Sequence, residues 1–268
     1  MTSFSADWLS LREPVDHRAR SSTLARAVGG VLAQALEMRV LDLAAGTGSN
    51  MRYMAGHLSR SQHWLLVDQD PALLASVKDP SEPSTCRVET RQVDLAALSQ
   101  AADAGIFDGR ALVTASALLD LVSEDWLCAL TARCQAIGAA VLFALNYDGR
   151  MLFTPADPED ELVRELVNQH QRTDKGFGPA LGPEATDCAD RLLAALGYRV
   201  HRARSDWLLT SASRELQHQL IDGWAQAAAA IAPGSSACIA RWQARRLAHL
   251  ADARSDVVVG HEDLAAWL

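Results

Sequence analysis

Residues 40–50, which read VLDLAAGTGSN, decide the fold that this sequence predicts. The apolar run Val40–Leu43 is typical of a strand buried on both faces in a parallel sheet. It leads into a loop that contains Gly46 and Gly48, and a helical pattern follows from Asn50. Glycine lets a bound nucleotide come within contact distance of the backbone, where a Cβ would obstruct it. The stretch therefore predicts a ligand-binding turn at the carboxyl end of a first strand.

Strands and helices alternate after this turn. Further strands are predicted at Trp64–Val67, Arg87–Val93, Ala111–Ala115, Ala139–Leu145 and Tyr198–Leu209, with a last strand built from Val257–Val259 and Leu264–Leu268. Helices are predicted at Asn50–Leu58, Pro71–Val77, Ser123–Ala136, Pro158–Gln171, Glu184–Leu196, Arg214–Ile231 and Ser236–Ala251. This order predicts an α/β fold with a doubly wound, Rossmann-like, mainly parallel sheet.

The N-terminal segment, residues 1–37, shows apolar residues at helical spacing, with a break expected at Pro14. Two interpretations of this segment stay open. It is either a flap over a cofactor, with Arg12 or Arg18 facing a carboxylate, or a solvated amphipathic helix.

Composition limits the partners of the chain. Of its 268 residues, 49% are apolar and 22% charged, and residues 38–268 are predicted to be one domain with insertions at about 150–182 and 211–254. The formal net charge of -8 gives no general attraction to nucleic acid or anionic membranes, which favours a small-molecule partner. Five scattered cysteines without a CxxC pair indicate reduced thiols and no zinc site. We therefore expect a cytoplasmic protein, monomeric or homodimeric, without a bound metal, membrane or nucleic acid.

The residues around the glycines bear on which nucleotide is bound. A dinucleotide-binding turn carries a third glycine three residues after the second, and Met51 stands there. Asp42 lies inside the first strand, where a negative charge disfavours a pyrophosphate and favours a cationic sulfonium. Asp68 follows about twenty residues on, the spacing at which an acid reaches a ribose. NAD binding and a chance Gly-x-Gly turn stay open as alternatives.

Four short segments in order resemble the motifs of the class I S-adenosylmethionine-dependent methyltransferases. They are LDLAAGTG from residue 41, LVDQDP from residue 66, QVDL from residue 92 and VTASALLD from residue 113. The resemblance, which is to a bacterial branch of the family, implies a seven-stranded sheet with an antiparallel last strand. It implies S-adenosyl-L-methionine as cofactor and S-adenosyl-L-homocysteine as product. The implied cofactor-binding residues are Asp42, Ala44, Gly46, Gly48, Asp68, Gln69, Asp94, Leu95, Ala115 and Ser116.

Individual roles follow from the same resemblance. Asp68 is expected to hold both ribose hydroxyls, and Asp94 with the Leu95 amide to meet the adenine. Asp70 competes with Asp68 for the ribose, but Asp70 before Pro71 is typical of a helix N-cap.

Candidates for the acceptor side follow the fifth strand. Tyr147 is predicted to line an acceptor pocket and Asp148 to orient the acceptor, with a plain turn at Asp148-Gly149 as the alternative. Asp120, after the fourth strand, is a weak site candidate, with a solvent-facing position on the following helix as the alternative.

The segment from His170 to Gly178 is the second candidate. As a lid it would place His170 as a general base and close over the acceptor with Arg172, Asp174 and Phe177. As a polar surface loop it would leave His170 complementing a helix dipole. Both interpretations stay open.

The predicted function is transfer of a methyl group to an oxygen or nitrogen atom, with carbon as a further alternative, of a small molecule. The reaction is an in-line displacement, which gains most of its acceleration from alignment. A methyltransferase of protein or RNA, with residues 241–246 as its modest basic tract, is one rival. A cofactor-binding module without methyl transfer is another.

Overall fold

The computed structural model describes residues 5–34, 37–58, 61–78, 86–97 and 105–268. The sequence also predicts a loop at residues 78–84, and most of that loop lies outside the described residues. The strands are β1 (Met38–Leu43), β2 (Gln62–Asp68), β3 (Cys86–Gln92), β4 (Leu112–Ser116), β5 (Ala140–Thr154), β6 (Arg199–Arg204), β7 (Trp207–Leu209) and β8 (Asp256–Trp267). The helices are α1 (Ala6–Ala19), α2 (Ser22–Val31), α3 (Ser49–Ala55), α4 (Pro71–Ala75), α5 (Glu124–Ala136), α6 (Asp160–Gln171), α7 (Ala185–Ala195), α8 (Arg214–Ile231) and α9 (Ser236–Ala251).

Among the described residues, eight strands form one sheet in the order β3-β2-β1-β4-β5-β8-β6, and β7 also pairs with β8. The first five of these strands are parallel, and β8 runs antiparallel between β5 and β6. The predicted doubly wound fold with an antiparallel last strand is confirmed. The sheet has one strand more than predicted, because Tyr198–Leu209 divides into β6 and β7, which pair with successive halves of β8.

β5 is longer than predicted and passes through Asp148-Gly149, where a plain turn was the alternative interpretation. The expected end was Leu145, but the strand continues to Thr154 and pairs with β8 along both of its halves. A register shift follows Phe143, and Leu145 there takes a left-handed φ of 54° while its N–H donates to Asp263 Oδ1 at 2.8 Å. The register shift after Phe143 is a β-bulge, which bends a strand without ending it. The sequence pattern around Leu145 therefore does not reveal that β5 continues.

The two faces of the sheet are packed separately. In β2, Leu65 and Val67 join a cluster with α5 and α7, while Trp64 and Leu66 join a cluster with α2 and α3. Successive side chains of a strand alternate between faces, so a wholly apolar strand supplies both clusters. A third cluster lies under α6, α8 and α9, where the extended halves of β5 and β8 carry Phe153 and Val257.

α1 is continuous through Pro14, which corrects the predicted break. The helix is held by contacts on both sides of the proline. The Glu13 carboxylate pairs with Arg52 of α3, and Asp16 accepts from the indole of Trp207 at 3.0 Å. Tertiary packing of this kind overrides the local preference of a proline to end a helix.

The predicted bounds of α8 and α9 are confirmed, and the pair packs against α6. Arg246 of α9 is fully buried and forms an ion pair with Asp160 at the start of α6. Its guanidinium also donates to the carbonyl oxygen of Pro155 at 2.6 Å and lies 4.5 Å from the centre of the Phe153 ring. The 211–254 insertion therefore supports α6.

Replacing Arg246 should test this support. Arg246→Ala leaves the Asp160 carboxylate without its buried cation, and we expect a loss of about 3 kcal/mol in the free energy of unfolding, measured by urea denaturation. Arg241→Ala, at an exposed position of the same helix, is the matched control and should leave that free energy unchanged. Equal effects of the two variants would contradict the role given to Arg246.

Candidate active site

A cavity of about 350 Å³ lies at the carboxyl edge of the parallel strands, where open parallel sheets bind ligands. A second cavity of about 60 Å³ shares part of its wall. The larger cavity is lined by Leu9, Arg12, Ala44, Gly46, Asp68, Gln69, Asp70, Leu73, Leu95, Ser116, Ala117, Leu118, Leu121, His170, Gln171, Lys175 and Phe177. The smaller one is lined by Leu9, Arg12, Asp16, Ala44, Ala45, Gly46, Thr47, Ser49, Asn50 and Ser116.

The glycine loop forms the floor shared by both cavities. Gly46 and Gly48 have φ of 53° and 83°, a region that favours glycine, and Gly48 lies at the start of α3. A Cβ on Gly46 would lie 3.0 Å from the Leu9 side chain. Ala44 and Ala117, which line the cavity, also have positive φ, of 51° and 53°. Such strained residues gather at functional sites.

Asp68 ends β2 with its carboxylate fixed by backbone donors. Oδ2 accepts from the Gly46 N–H at 2.8 Å, and Oδ1 accepts from the Asp70 N–H at 2.9 Å. The side chain is 8% exposed and lines the cavity. Asp70 itself accepts from the Ala72 N–H at 2.9 Å, as the N-cap that the sequence predicts.

Asp42 is fully buried behind the glycine loop, and it is absent from the described lining of both cavities. Its Oδ1 accepts from the Asn50 amide at 2.6 Å, and Asn50 lines the smaller cavity. Burial raises the pKa of Asp42 to about 7, offset in part by Asn50 and Arg20 and reinforced by Asp68. Asp42 thus orients a cavity residue.

Of the two residues predicted to contact adenine, Leu95 lines the cavity and Asp94 is absent from its described lining. The Leu95 carbonyl oxygen accepts from the Trp126 indole at 2.6 Å. Asp94 is exposed and accepts from the Ala96 N–H at 3.0 Å. Gln69 and Ser116 line the cavity, whereas Ala115 is buried in the core.

α1 covers the glycine loop and brings Arg12 to both cavities. The Arg12 guanidinium donates to Asp16 at 2.9 and 3.3 Å and lies 4.9 Å from the centre of the Trp207 ring. His17 hydrogen-bonds the Ser49 carbonyl at 3.1 Å on the other side. Arg18 is exposed. Of the two arginines considered for a cofactor carboxylate, the structure brings Arg12 to the cavity.

The segment after α6 closes the opposite wall with Phe177 and Lys175. The Phe177 ring packs edge-on against Trp126 with centroids 5.5 Å apart, and the Leu181 N–H donates to the Val122 carbonyl at 2.8 Å. Asp174 shapes the loop by accepting from two glycine amides, and Arg172 forms an ion pair with exposed Glu184. Neither Arg172 nor Asp174 is among the residues that line the cavity.

His170, the last-turn histidine of α6, lines this wall. Burial and the nearby Lys175 cation lower the pKa of His170. The Lys175 ammonium donates to the His170 carbonyl at 2.9 Å and to Thr173 Oγ1 at 2.8 Å.

Tyr147 and Asp148 lie within β5 and are absent from the described lining of the cavity. The Tyr147 hydroxyl donates to Asn168 Oδ1 at 2.8 Å, and burial raises the pKa of this phenol. Asp148 forms an ion pair with Arg150, which also pairs with Asp206. The extension of β5 carries Tyr147 and Asp148 into the strand, where both side chains form contacts within the protein.

Asp120, for which a solvent-facing position was the alternative interpretation, is buried at 6% exposure in the short turn Leu119–Leu121 after β4. Leu118 and Leu121, on either side of it, line the cavity. The sequence gives little indication that Asp120 is buried, because the leucines next to it are also compatible with an amphipathic surface helix.

Several cavity residues escaped the sequence-based prediction. They lie at apolar positions or on elements whose packing against the cavity cannot be predicted from the local sequence. These residues are Leu9, Asn50, Leu73, Leu118, Leu121, Gln171 and Lys175.

In the described ranges, no group of three or more His, Cys, Asp or Glu side chains is placed to hold a metal ion. The described helices include none with the length and apolarity needed to cross a bilayer.

Comparison with known proteins adds evidence at the level of structure. No known protein-family profile and no curated protein sequence matches the chain. A Bacillus halodurans protein solved as a candidate methyltransferase is 11% identical, covers 91% of this chain and 97% of its own, and has a TM-score of 0.50.

Two further structures are similar. An S-adenosylmethionine-dependent methyltransferase of Geobacter sulfurreducens, solved with S-adenosylhomocysteine, is 17% identical over 99% of each chain, with a TM-score of 0.48. The cyclopropane synthase MmaA2 of Mycobacterium tuberculosis is 14% identical over 91% of this chain and 82% of its own, with a TM-score of 0.46. The Bacillus halodurans match and the strand order show that this chain has the Rossmann-like fold of the class I methyltransferases.

The buried Asp42 predicts a pH dependence of stability. Its pKa is about 7 in the fold and about 4 in an unfolded chain, so between these values the folded state binds the extra proton and stability falls as pH rises. Asp42→Asn cannot ionise. Its free energy of unfolding, relative to wild type, should therefore rise between about pH 5 and about pH 8, with a slope of at most about 1.4 kcal/mol per pH unit.

Urea denaturation at both pH values measures this difference. Asp125→Asn, at an exposed acid of α5, should show no such trend. A pH-independent difference between Asp42→Asn and wild type would show that Asp42 does not hold the extra proton.

Proposed function

We propose that this protein is an S-adenosylmethionine-dependent methyltransferase that transfers a methyl group to an oxygen or nitrogen atom of a small molecule. The observation that carries the proposal is the Asp68 carboxylate, held at the cavity wall by the Gly46 N–H that starts the glycine loop. We place the protein in the cytoplasm because its scattered cysteines show no disulfide pattern.

The residues present fit this cofactor. Asp68 retains carboxylate lone pairs for a pair of ribose hydroxyls, since each oxygen accepts one backbone N–H. Leu73 and Leu95 supply an apolar surface for adenine. At the other end, Arg12 is a cation for the amino-acid carboxylate, and Asn50 Oδ1 is a buried acceptor without a partner in the described structure.

When bound, the cofactor supplies a methyl group activated by the positive sulfonium. The protein's own task is then to hold the methyl acceptor in line and to exclude water. Leu118, Leu121 and Phe177 form apolar walls beyond the glycine loop, and His170 adds a polar contact there. α1 and the segment after α6 cover the cavity from two sides, which favours a small methyl acceptor over a macromolecule.

Tyr147 serves this site indirectly in the proposed function. Asn168, which accepts from the Tyr147 hydroxyl, donates to the Gly149 carbonyl at 3.0 Å. These bonds fasten α6 to β5 and so fix the position of His170 at the end of that helix.

Calorimetric titration with S-adenosylmethionine tests the cofactor assignment. Asp68→Ala should weaken binding at least about 100-fold. The variant loses both the contacts between the carboxylate and the ribose and the hydrogen bond that fixes the Gly46 N–H. Asp125→Ala, the matched control at an exposed acid, should bind like wild type. If the wild-type protein releases or absorbs no heat of binding, the proposal is contradicted. If both variants bind with equal affinity, Asp68 does not contact the cofactor.

The two arginines of α1 give a second test. Arg12→Gln should weaken S-adenosylhomocysteine binding about 10-fold, because a charged partner of the cofactor carboxylate is removed. Arg18→Gln, at an exposed position of the same helix, should have no effect. If both variants bind like wild type, α1 is a solvated helix and not a flap that contacts the cofactor.

A further inference from the structure

Lys175 brings a positive charge to the cavity wall on the side assigned to the methyl acceptor. The residue is half-buried and lines the cavity together with Phe177. Its ammonium donates to the His170 carbonyl at 2.9 Å and to Thr173 Oγ1 at 2.8 Å, and it lies 3.4 Å from His170 Nδ1. None of these groups carries a negative charge. Among the described residues, no carboxylate forms an ion pair with Lys175.

The same contacts give Lys175 a structural role, because a cation that donates to the His170 carbonyl stabilises the carboxyl end of α6. This role does not use the whole side chain. An ammonium group has three N–H donors. Two of them form the short hydrogen bonds, and the third has only the 3.4 Å contact with the imidazole. One donor and the positive charge therefore remain for a ligand.

The other charged groups near this wall do not take that place. Arg12 lines the cavity but donates to Asp16 at 2.9 Å. Burial lowers the pKa of Lys175, and the charge of Asp120 opposes this shift. Asp120 is itself buried and absent from the described lining of the cavity. A ligand on this side thus contacts Lys175 and not the Asp120 carboxylate.

His170 adds a second donor on the same wall. The Lys175 ammonium is a donor alone, so His170 Nδ1, at 3.4 Å, faces it as an acceptor. The ring proton then belongs on Nε2, and Nε2 also carries a proton if the ring is doubly protonated. His170 lines the cavity beside Lys175. The wall therefore offers a cation and an imidazole N–H, both of which suit a negatively charged group.

We propose that the methyl acceptor carries an anionic group, a carboxylate or a phosphate, that binds the Lys175 ammonium and the Nε2–H of His170. This inference rests on the function proposed above and names the class of its substrate. Leu118, Leu121 and Phe177 line the same cavity and accommodate the apolar body of the molecule. The amine or hydroxyl that receives the methyl group lies at the end of the molecule away from Lys175.

Four phenols of similar shape test this charge preference: 4-hydroxyphenylacetate, 4-hydroxybenzylphosphonate, the neutral 4-hydroxyphenylacetamide and the cationic tyramine. Calorimetry with the full chain saturated by S-adenosylhomocysteine measures their affinities, at low ionic strength because salt screens a half-buried charge. At least one anion should bind at least about 10-fold more tightly than the amide. Tyramine should bind most weakly, because like charges repel. The tighter of the two anions identifies the anionic group.

Lys175→Met keeps the length of the side chain and removes its charge. It should lower the ratio of anion affinity to amide affinity to about 1, whereas Lys175→Arg should retain most of this ratio. Lys78→Met, at the exposed other lysine of the chain, should match wild type. A lysine that only stabilises the end of α6 would change both affinities alike. An unchanged ratio in Lys175→Met therefore overturns the inference.

S-adenosylhomocysteine affinity, measured on every variant, separates this inference from the proposed function. Unchanged affinity in Lys175→Met shows that the variant is folded. If the wild type binds S-adenosylhomocysteine but prefers the amide or tyramine, binds all four phenols equally or binds none of them, the inference is overturned and the proposed function stands. If the wild type does not bind S-adenosylhomocysteine, the proposed function itself fails.

Discussion

The hydrogen bond from the Gly46 N–H to the Asp68 carboxylate joins the ends of two neighbouring parallel strands, and the site is built around it. β1 ends in the glycine loop and β2 ends at Asp68, so this 2.8 Å contact fixes the loop relative to the acid. Its surroundings are arranged to preserve it. Leu9 packs over Gly46, and the Asp70 N–H holds the second carboxylate oxygen.

The elements added to a minimal Rossmann-like sheet support those that line the cavity, although their own residues are absent from its described lining. The long β5 and β8 ribbon carries β7, whose Trp207 anchors α1 through Asp16. α9 holds the start of α6 through Arg246, and the end of α6 presents His170. The additions therefore act as supports: one positions α1 above the glycine loop, and the other positions the cavity wall that includes His170.

Local patterns in the sequence predicted the parts of the fold that depend on neighbouring residues. The glycine loop, the Asp70 cap and the bounds of α8 and α9 belong to this group. The parts that were missed depend on residues distant in sequence. Arg12 reaches the cavity because Trp207 holds its helix, and Asp120 is buried beside a wall that includes Lys175, contributed much later in the chain.

Site prediction failed for the same reason at Tyr147 and Asp148. Their expected position followed from a strand that ended at Leu145, whereas pairing with β8 extends that strand and engages both side chains in structural bonds. The family resemblance predicts residues on the proposed cofactor side because its motifs are short and contiguous. The proposed methyl-acceptor side combines Leu118 and Leu121, which follow β4, with His170 and Phe177 of the 150–182 insertion, so no contiguous motif predicts it.

A crystal structure of the protein with S-adenosylhomocysteine tests the central claim most directly. The cofactor's ribose hydroxyls should lie within hydrogen-bonding distance of the Asp68 carboxylate, with its amino-acid carboxylate near Arg12 and its sulfur facing the cavity wall that includes Lys175 and Phe177. A ribose placed away from Asp68, or a ligand bound outside the cavity at the glycine loop, would contradict the assignment.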